Sequence, residues 1–173
     1  LLFALFPGDA EASGFRQTAW DLRDTHHLGG QPLKQRRLHM TLIKVKSYGP
    51  DGKIPQDDID AAVMAASRVS YRSFPIIFNR AVSYPQSHAF VLECDELSNK
   101  RIAILRQMLA QHLKAADLPR EQTTTPHMTM LYDRHRHFEP HAVPPMAWAA
   151  TRFALILSHV GLTHHQWIKE WRL

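Results

Sequence analysis

The sequence predicts an α+β fold, and three observations carry that expectation. Short apolar runs of strand length alternate with amphipathic segments of helical period, but without the strict β-α-β order of a parallel sheet. The composition is 45% hydrophobic and 21% charged over 173 residues, which is that of a globular chain rather than a disordered one. No apolar run approaches the ~20 residues of a spanning helix. A chain near ~150 residues buries about 68–70% of its unfolded surface, enough for a core without metals or disulfides.

The elements follow in order. Leu1–Phe6 reads as a short buried strand, and Pro7-Gly8-Asp9 stops it and opens a helix. Phe15, Ala19, Leu22 and His26 recur at helical spacing until Gly29-Gly30 closes the segment. Leu38–Val45 is a second strand, and Tyr48–Lys53 is a turn cluster. Pro55 suits a first helical turn, with Asp57 and Asp58 favourable at the positive end of the dipole. Ile59, Val63, Ala66 and Val69 give that helix its apolar stripe.

Phe74–Ser83 and His88–Cys94 read as a hairpin around a Tyr84–Ser87 turn. Leu97, Arg101, Ile104, Leu105, Met108, Leu109 and Leu113 mark the clearest amphipathic helix. A strand at His127–Tyr132 precedes an Asp133–Pro145 loop rich in His and Arg. Arg152–Ser158 and Gln166–Leu173 close the chain as two strands around Gly161.

Charge and cysteine content narrow the chemistry. The formal charge of +5 draws anionic partners without naming one. The single Cys94 excludes an internal disulfide and Cys-rich zinc sites. A reducing, cytoplasmic setting is expected. Cys94 lies in an apolar strand, where a buried, inert thiol is expected. The apolar opening at Leu1–Phe6 has no basic leader, so neither a span nor an export signal is expected there. Gly49–Lys53 lacks the spacing of a phosphate loop, so ATP use has no support.

Of the 12 His, two are organised alike. Leu38-His39-Met40-Thr41-Leu42 recurs as Pro126-His127-Met128-Thr129-Met130, 88 residues on, and no other His has Thr at the second position after it. In a strand, residues i and i+2 share a face. His39 therefore projects with Thr41, and His127 with Thr129, while Met40, Leu42, Met128 and Met130 point into a core. If the two strands are neighbours, two imidazoles stand among two hydroxyls. One neutral imidazole can take a proton and the other, protonated, can give one, which is worth ~10²–10⁴ in rate. An imidazole near pKa ~6.5 suits this exchange at neutral pH. The Thr hydroxyls can donate to phosphate oxygens as charge builds on them.

The paired H-x-T motifs, with strand-like flanks and about half a chain between them, resemble the two-histidine (2H) phosphoesterase superfamily. The similarity is greatest to its RNA 2′,3′-cyclic phosphodiesterase / 2′-5′ RNA ligase family, and it extends over nearly the whole chain. The resemblance implies one domain over residues 1–173, of two pseudo-symmetric lobes. Two antiparallel sheets would face a central cleft, with the helices outside. It implies His39 and His127 as the catalytic pair and Thr41 and Thr129 as the phosphate holders. The implied reaction opens 2′,3′-cyclic phosphates of RNA ends or nucleotides to 2′-phosphates, with no metal or other cofactor. The reverse joins a 5′-hydroxyl to the cyclic phosphate in a 2′-5′ linkage. A monomer is expected.

One departure stands out. Many members carry Arg or Lys five residues after the second His, and here that position is Tyr132. Arg134 is the nearest substitute cation. Strict strand parity turns Tyr132 away from His127, so a bulge is required for it to join the site. Lys34, Arg36 and Arg37 before the first motif, with Arg134 and Arg136 after the second, form either a basic rim for RNA or a solvated face. His135, His137 and His141 are a metal alternative, with a solvated loop preferred. His164-His165 is expected to decorate a turn, and His26-His27 to be the exposed end of a helix. Two rivals remain: the same fold acting on another cyclic or 2′-5′ linked substrate, and an RNA-binding module with weak or no catalysis.

Overall fold

The computed structural model describes residues 1–45, 53–121, 125–159 and 164–173, with the side chains of His159 and His164 left aside. Apart from Lys53, the turns expected at Tyr48–Lys53 and Gly161 lie outside these residues. The chain is α+β. It begins with β1 (Leu2–Leu5), α1 (Asp9–Thr25), a 3-10 turn at Gln35–Arg37, β2 (Met40–Lys44) and α2 (Gln56–Ala66). It continues with β3 (Phe74–Tyr84), β4 (Ala89–Cys94), α3 (Glu96–Ala115) and β5 (His127–Tyr132). It ends with β6 (His141–Ala150), β7 (Arg152–His159) and β8 (His164–Arg172).

The strands are ordered β6-β3-β4-β5-β2-β1-β7-β8, and every neighbouring pair is antiparallel. The two expected sheets are four-stranded halves of this ladder. They meet at one residue pairing, Met40 opposite Met128. Outward from that junction, β2, β1, β7 and β8 answer β5, β4, β3 and β6. The helices repeat the symmetry, since α1 joins β1 to β2 and α3 joins β4 to β5.

Each of these two helices covers the half that its preceding strand does not belong to. On α1, Phe15 meets Phe78 of β3 edge-on at 5.3 Å and Trp148 of β6 at 6.3 Å. On α3, Arg106 Nη2 donates to the Thr41 carbonyl of β2 at 2.7 Å. The main core lies between helices and sheet, with Phe3, Phe15, Phe78, Met40 and Met128 all essentially inaccessible. On the opposite, helix-free face two small apolar clusters flank the junction. One is Ala4, Phe6, Ala154 and Ile156, and the other is Val82, Ala89 and Val91 with Tyr84 packed against it.

Three sequence expectations shift in register. The loop expected to run to Pro145 ends at Pro140, and His141–Ala150 is a strand. Pro144 and Pro145 hide it from the sequence pattern, but β6 is an edge strand, where a missing N–H is tolerated. Both prolines fall where the β3–β6 register shifts, between Met146 opposite Phe78 and Ala142 opposite Arg80.

On α3 the buried stripe is Ser98, Ile102, Leu105, Leu109 and Leu113, leaving Leu97 and Ile104 exposed. The cap explains the rotation. Asp95 accepts from the Ser98 N–H at 2.7 Å, and the Ser98 hydroxyl accepts from the Ile77 N–H at 2.9 Å, so the first turn is pinned with Ser98 inward. On α2, Pro55 is the N-cap rather than a first-turn residue. The buried set is Ala62, Ala65 and Ala66, whose small side chains suit close packing on α3.

Candidate active site

The site grows out of the β2–β5 junction. In an antiparallel ladder, opposite residues share a face, and one step outward on either side stays in register. From Met40 opposite Met128, His39 stands across from Thr129, and Thr41 across from His127. The four side chains therefore make a square on the helix-free face, and all four are half-buried. The two Met between them are fully buried in the core behind. The sequence parity is thus borne out, and the chain order brings the two motifs side by side.

Both imidazoles are held in the same way. His39 Nδ1 donates to the Arg37 carbonyl at 2.7 Å, and His127 Nδ1 donates to the Thr125 carbonyl at 2.8 Å. A carbonyl only accepts, so Nδ1 carries the proton in the neutral ring. Nε2 is then the atom left to take or give a proton.

Burial holds both rings below the ordinary imidazole range. For His39 the bond to the Arg37 carbonyl opposes this, while the charges of Arg37 and His127 add to it. For His127 the Thr125 carbonyl opposes it, Arg106 adds to it, and Glu93 opposes it. The mutual effect of His127 on His39 is that of two charges that disfavour each other. A state with one ring protonated is favoured over a state with both protonated.

Each ring has its own wall. His39 lies 5.7 Å from the Phe6 ring and meets His165 of β8 edge-on at 4.9 Å. Phe6 in turn packs on Trp167 at 4.4 Å, and Trp167 stays 46% exposed on this face. His127 meets the Tyr84 ring edge-on at 5.2 Å and pairs with Glu93 across β4. The Tyr84 hydroxyl donates to Glu93 Oε1 at 2.7 Å, and Arg80 stands 3.7 Å from Oε2. Burial and the bond to Glu93 raise the Tyr84 hydroxyl well above the usual phenol range, so it remains a donor.

Beneath the square, burial lowers the Arg106 guanidinium to about 10. It remains charged at neutral pH, behind Thr41 and close enough to act on His127.

Tyr132 reaches this face through the bulge that parity required. Thr129 pairs with Val91 but Leu131 pairs with Phe90, so β5 carries an extra residue at Met130. Beyond it, Tyr132 stands opposite Ala89, which belongs to the helix-free cluster with Val91, and its ring is 50% exposed. The Met130 carbonyl accepts from the Leu33 N–H at 2.8 Å.

Asp133 locks the same end by accepting from Gly29, Gly30, His135 and Arg136 backbone N–H groups. These bonds, led by that from His135, hold its carboxyl below the usual range although burial opposes them. A Cβ on Gly30 would overlap the Tyr132 carbonyl oxygen, so the joint needs glycine. The segment of Lys34, Arg36 and Arg37 is thereby brought to the end of β5 that leads to Arg134 and Arg136.

A model of the 2′-5′ RNA ligase superfamily matches residues 9–165, a span that contains both motifs. The chain belongs to this superfamily. Among solved structures, a phosphoesterase aligns with TM-score 0.74 at 21% identity, covering 99% of this chain and 96% of that one. E. coli LigT complexed with 3′-AMP gives 0.73 at 20% identity, with coverages of 99% and 96%. A Thermus thermophilus protein, TT0787, gives 0.71 at 14% identity, again with 99% and 96%. These likenesses establish a common fold. Among curated proteins none matches the chain.

Within this superfamily member, several side chains stand where sequence reasoning did not put them. His164 and His165 do not sit in a turn. They begin β8, and the His165 ring packs against His39 and Phe6. His26 caps α1, half-buried rather than exposed, and stacks on Phe138 at 4.2 Å, whereas His27 is exposed.

The metal alternative disperses. His137 Nδ1 pairs with the Ser83 hydroxyl, His141 Nδ1 with the Glu139 carbonyl, and His135 is exposed. Among the described residues no group of three or more His, Cys, Asp or Glu is placed to hold a metal ion. Cys94 is buried, and burial raises its thiol far above the usual range. Arg134 is exposed on the loop after β5. No helix among the described residues is long and apolar enough to cross a membrane.

Tyr84, Glu93, Arg106, His165 and Trp167 were missed as site neighbours. The available signal was the i, i+2 parity of β4 and β8, which puts Glu93 beside Val91 and His165 beside Trp167.

Proposed function

We propose that the chain is a metal-independent phosphodiesterase that opens 2′,3′-cyclic phosphates of RNA ends or nucleotides to 2′-phosphates. The observation that carries this reading is the square of His39, Thr41, His127 and Thr129 around one strand pairing. Two imidazoles with free Nε2 atoms supply both proton transfers that the reaction needs. One takes a proton from water as its oxygen attacks phosphorus, and the other gives a proton to O3′ as the P–O3′ bond breaks.

The Thr41 and Thr129 hydroxyls donate to the non-bridging oxygens, where charge accumulates. Tyr132 and Arg134 contact the substrate at the bulged end of β5. The same exchange with a 5′-hydroxyl in place of water yields a 2′-5′ linkage. E. coli LigT is complexed with 3′-AMP and with phosphate in solved structures, which supports a nucleotide or phosphate ligand for the common fold. We take residues 1–173 as one two-lobed domain acting as a cytoplasmic monomer.

A second reading, a different cyclic or 2′-5′ linked substrate, is favoured by one observation. Tyr132 stands on the open face where many members have a cation, so one charge toward the phosphate or its chain is missing.

The test is incubation with an oligoribonucleotide ending in a 2′,3′-cyclic phosphate, with and without EDTA, followed by mapping of the product. A 2′-phosphate formed equally in EDTA, and lost in His39→Ala and His127→Ala, is the expected result. Activity that survives both substitutions would overturn the reading. Turnover confined to other cyclic or 2′-5′ linked substrates in a parallel panel selects the second. Tight RNA binding without turnover selects a binding module.

A further inference from the structure

The two motifs are alike in sequence and in their Nδ1–carbonyl bonds, so symmetry alone leaves the acid and the base unassigned. The surroundings break the symmetry. Glu93 is paired with His127 in the β4–β5 register, which puts the two side chains on one face with Cβ atoms ~4.5–5.5 Å apart. The Glu93 carboxylate is 14% exposed and is oriented by two groups, the Tyr84 hydroxyl at 2.7 Å and the Arg80 guanidinium at 3.7 Å. Tyr84 also lays its ring edge against His127, so it touches both members of the pair.

Around His39 the neighbours differ in kind. Phe6, His165 and the Arg37 charge surround it, and none of them is an anion.

We infer that Glu93, held by Tyr84 and Arg80, is a positioning residue that keeps His127 as the imidazolium, making His127 the general acid and His39 the general base. This rests on the hydrolytic reading above. In the cycle, water gives its proton to His39 Nε2 while its oxygen bonds to phosphorus. The P–O3′ bond breaks, and O3′ takes the proton from His127 Nε2. His39 ends protonated and His127 neutral, and exchange with solvent restores the starting state.

The groups that face His127 are Glu93 from β4, Arg80 and Tyr84 from β3, Arg106 from α3 and His39 beside β2. Arg106 disfavours the imidazolium and Glu93 favours it, so the carboxylate offsets the buried guanidinium. His39 has the cation Arg37 and the potential cation His127, without such an offset among its stated neighbours.

The experiment compares wild type with Glu93→Gln, which removes the charge and keeps the shape, and Tyr84→Phe, which keeps the charge and frees the carboxylate. Ring titrations of His39 and His127 are followed by NMR on histidine-labelled protein without substrate. Each ring is assigned by its loss in the corresponding His→Ala variant. Wild-type His127 is expected to titrate above His39. In Glu93→Gln the His127 midpoint falls by on the order of one unit, as for loss of a nearby opposite charge. In Tyr84→Phe it falls by less.

The basic limb of the kcat/KM profile moves down with it, and the acidic limb stays. An unmoved His127 midpoint, a shift of the acidic limb instead, or an equal shift in Tyr84→Phe would overturn the assignment. If wild type does not turn over cyclic phosphate, the hydrolytic reading fails. The ring titrations then still decide whether Glu93 governs His127.

Discussion

The two halves of the sheet carry the same motif in different settings. In the β2 half, His39 is walled by the ring of Phe6 and the edge of His165, and its nearby charge is Arg37. In the β5 half, His127 has the edge of Tyr84 and the Glu93 carboxylate, with Arg106 beneath. The backbone device is the same in both, an Nδ1–H bond to the carbonyl two residues back. Symmetry thus fixes where the Nε2 atoms stand, while the differing side chains set how readily each holds a proton. Acid and base work requires that difference, because two identical imidazoles have no preferred division of labour.

The largest expected effects come from the rings themselves. His39→Ala and His127→Ala should each lower kcat/KM on a cyclic phosphate by ~10²–10⁴. The double variant should lose little beyond the worse single, since the pair acts as a unit. Fully multiplicative losses, measured by single-turnover kinetics, would show that the halves act independently.

Next come the hydroxyls. Thr41→Val and Thr129→Val each remove a donor to a charged oxygen, worth about 1.5–3 kcal/mol, or roughly 10- to 100-fold in rate. Equal losses would mean that both halves grip the phosphate. A loss in one alone would extend the asymmetry from protons to binding.

Gly30→Ala tests the joint beside the β5 half. Its Cβ would collide with the Tyr132 carbonyl, so the backbone must shift, at a cost of about 1–3 kcal/mol in denaturant unfolding. The bulge that aims Tyr132 should move with it. Unchanged stability would show that this joint does not hold the two motif segments in register.

The smallest expected effect is the position of the pH optimum. Both rings are held below the ordinary value near 6.5, mainly by burial. The active form has one ring protonated and one neutral, so kcat/KM peaks between the two free-enzyme values, below about 6.5. It falls toward neutrality as the acid loses its proton. A bound phosphate favours both protonated forms, so the kcat profile lies higher in pH. A kcat/KM maximum above about 7.5 would contradict the burial that shifts both rings.

Much of this site was legible in the chain because its rule is local. The H-x-T spacing places His and Thr together on any strand, and the intervening Met anchors them whatever the strand order. The long helix, the hairpin and the motif strands follow from period alone. The strand at His141–Ala150 did not, because Pro144 and Pro145 argue against a strand unless it is known to be at an edge. The rotation of α3 was hidden in the cap made by Asp95 and Ser98, whose partner Ile77 is distant in sequence.

By itself, then, the sequence determined the elements, the face each motif shows and the identity of the four groups in the square. Those depend on periods of two and 3.6 residues, which a linear pattern records. Tertiary structure decided that β2 and β5 meet at Met40 and Met128, so that the square closes. It also decided that an extra residue at Met130 returns Tyr132 to the open face, and that Glu93 rather than another carboxylate stands beside His127. Strand order and register come from non-local burial and pairing. No spacing along the chain encodes which strand lies next to which, and the division of roles between His39 and His127 follows from those neighbours.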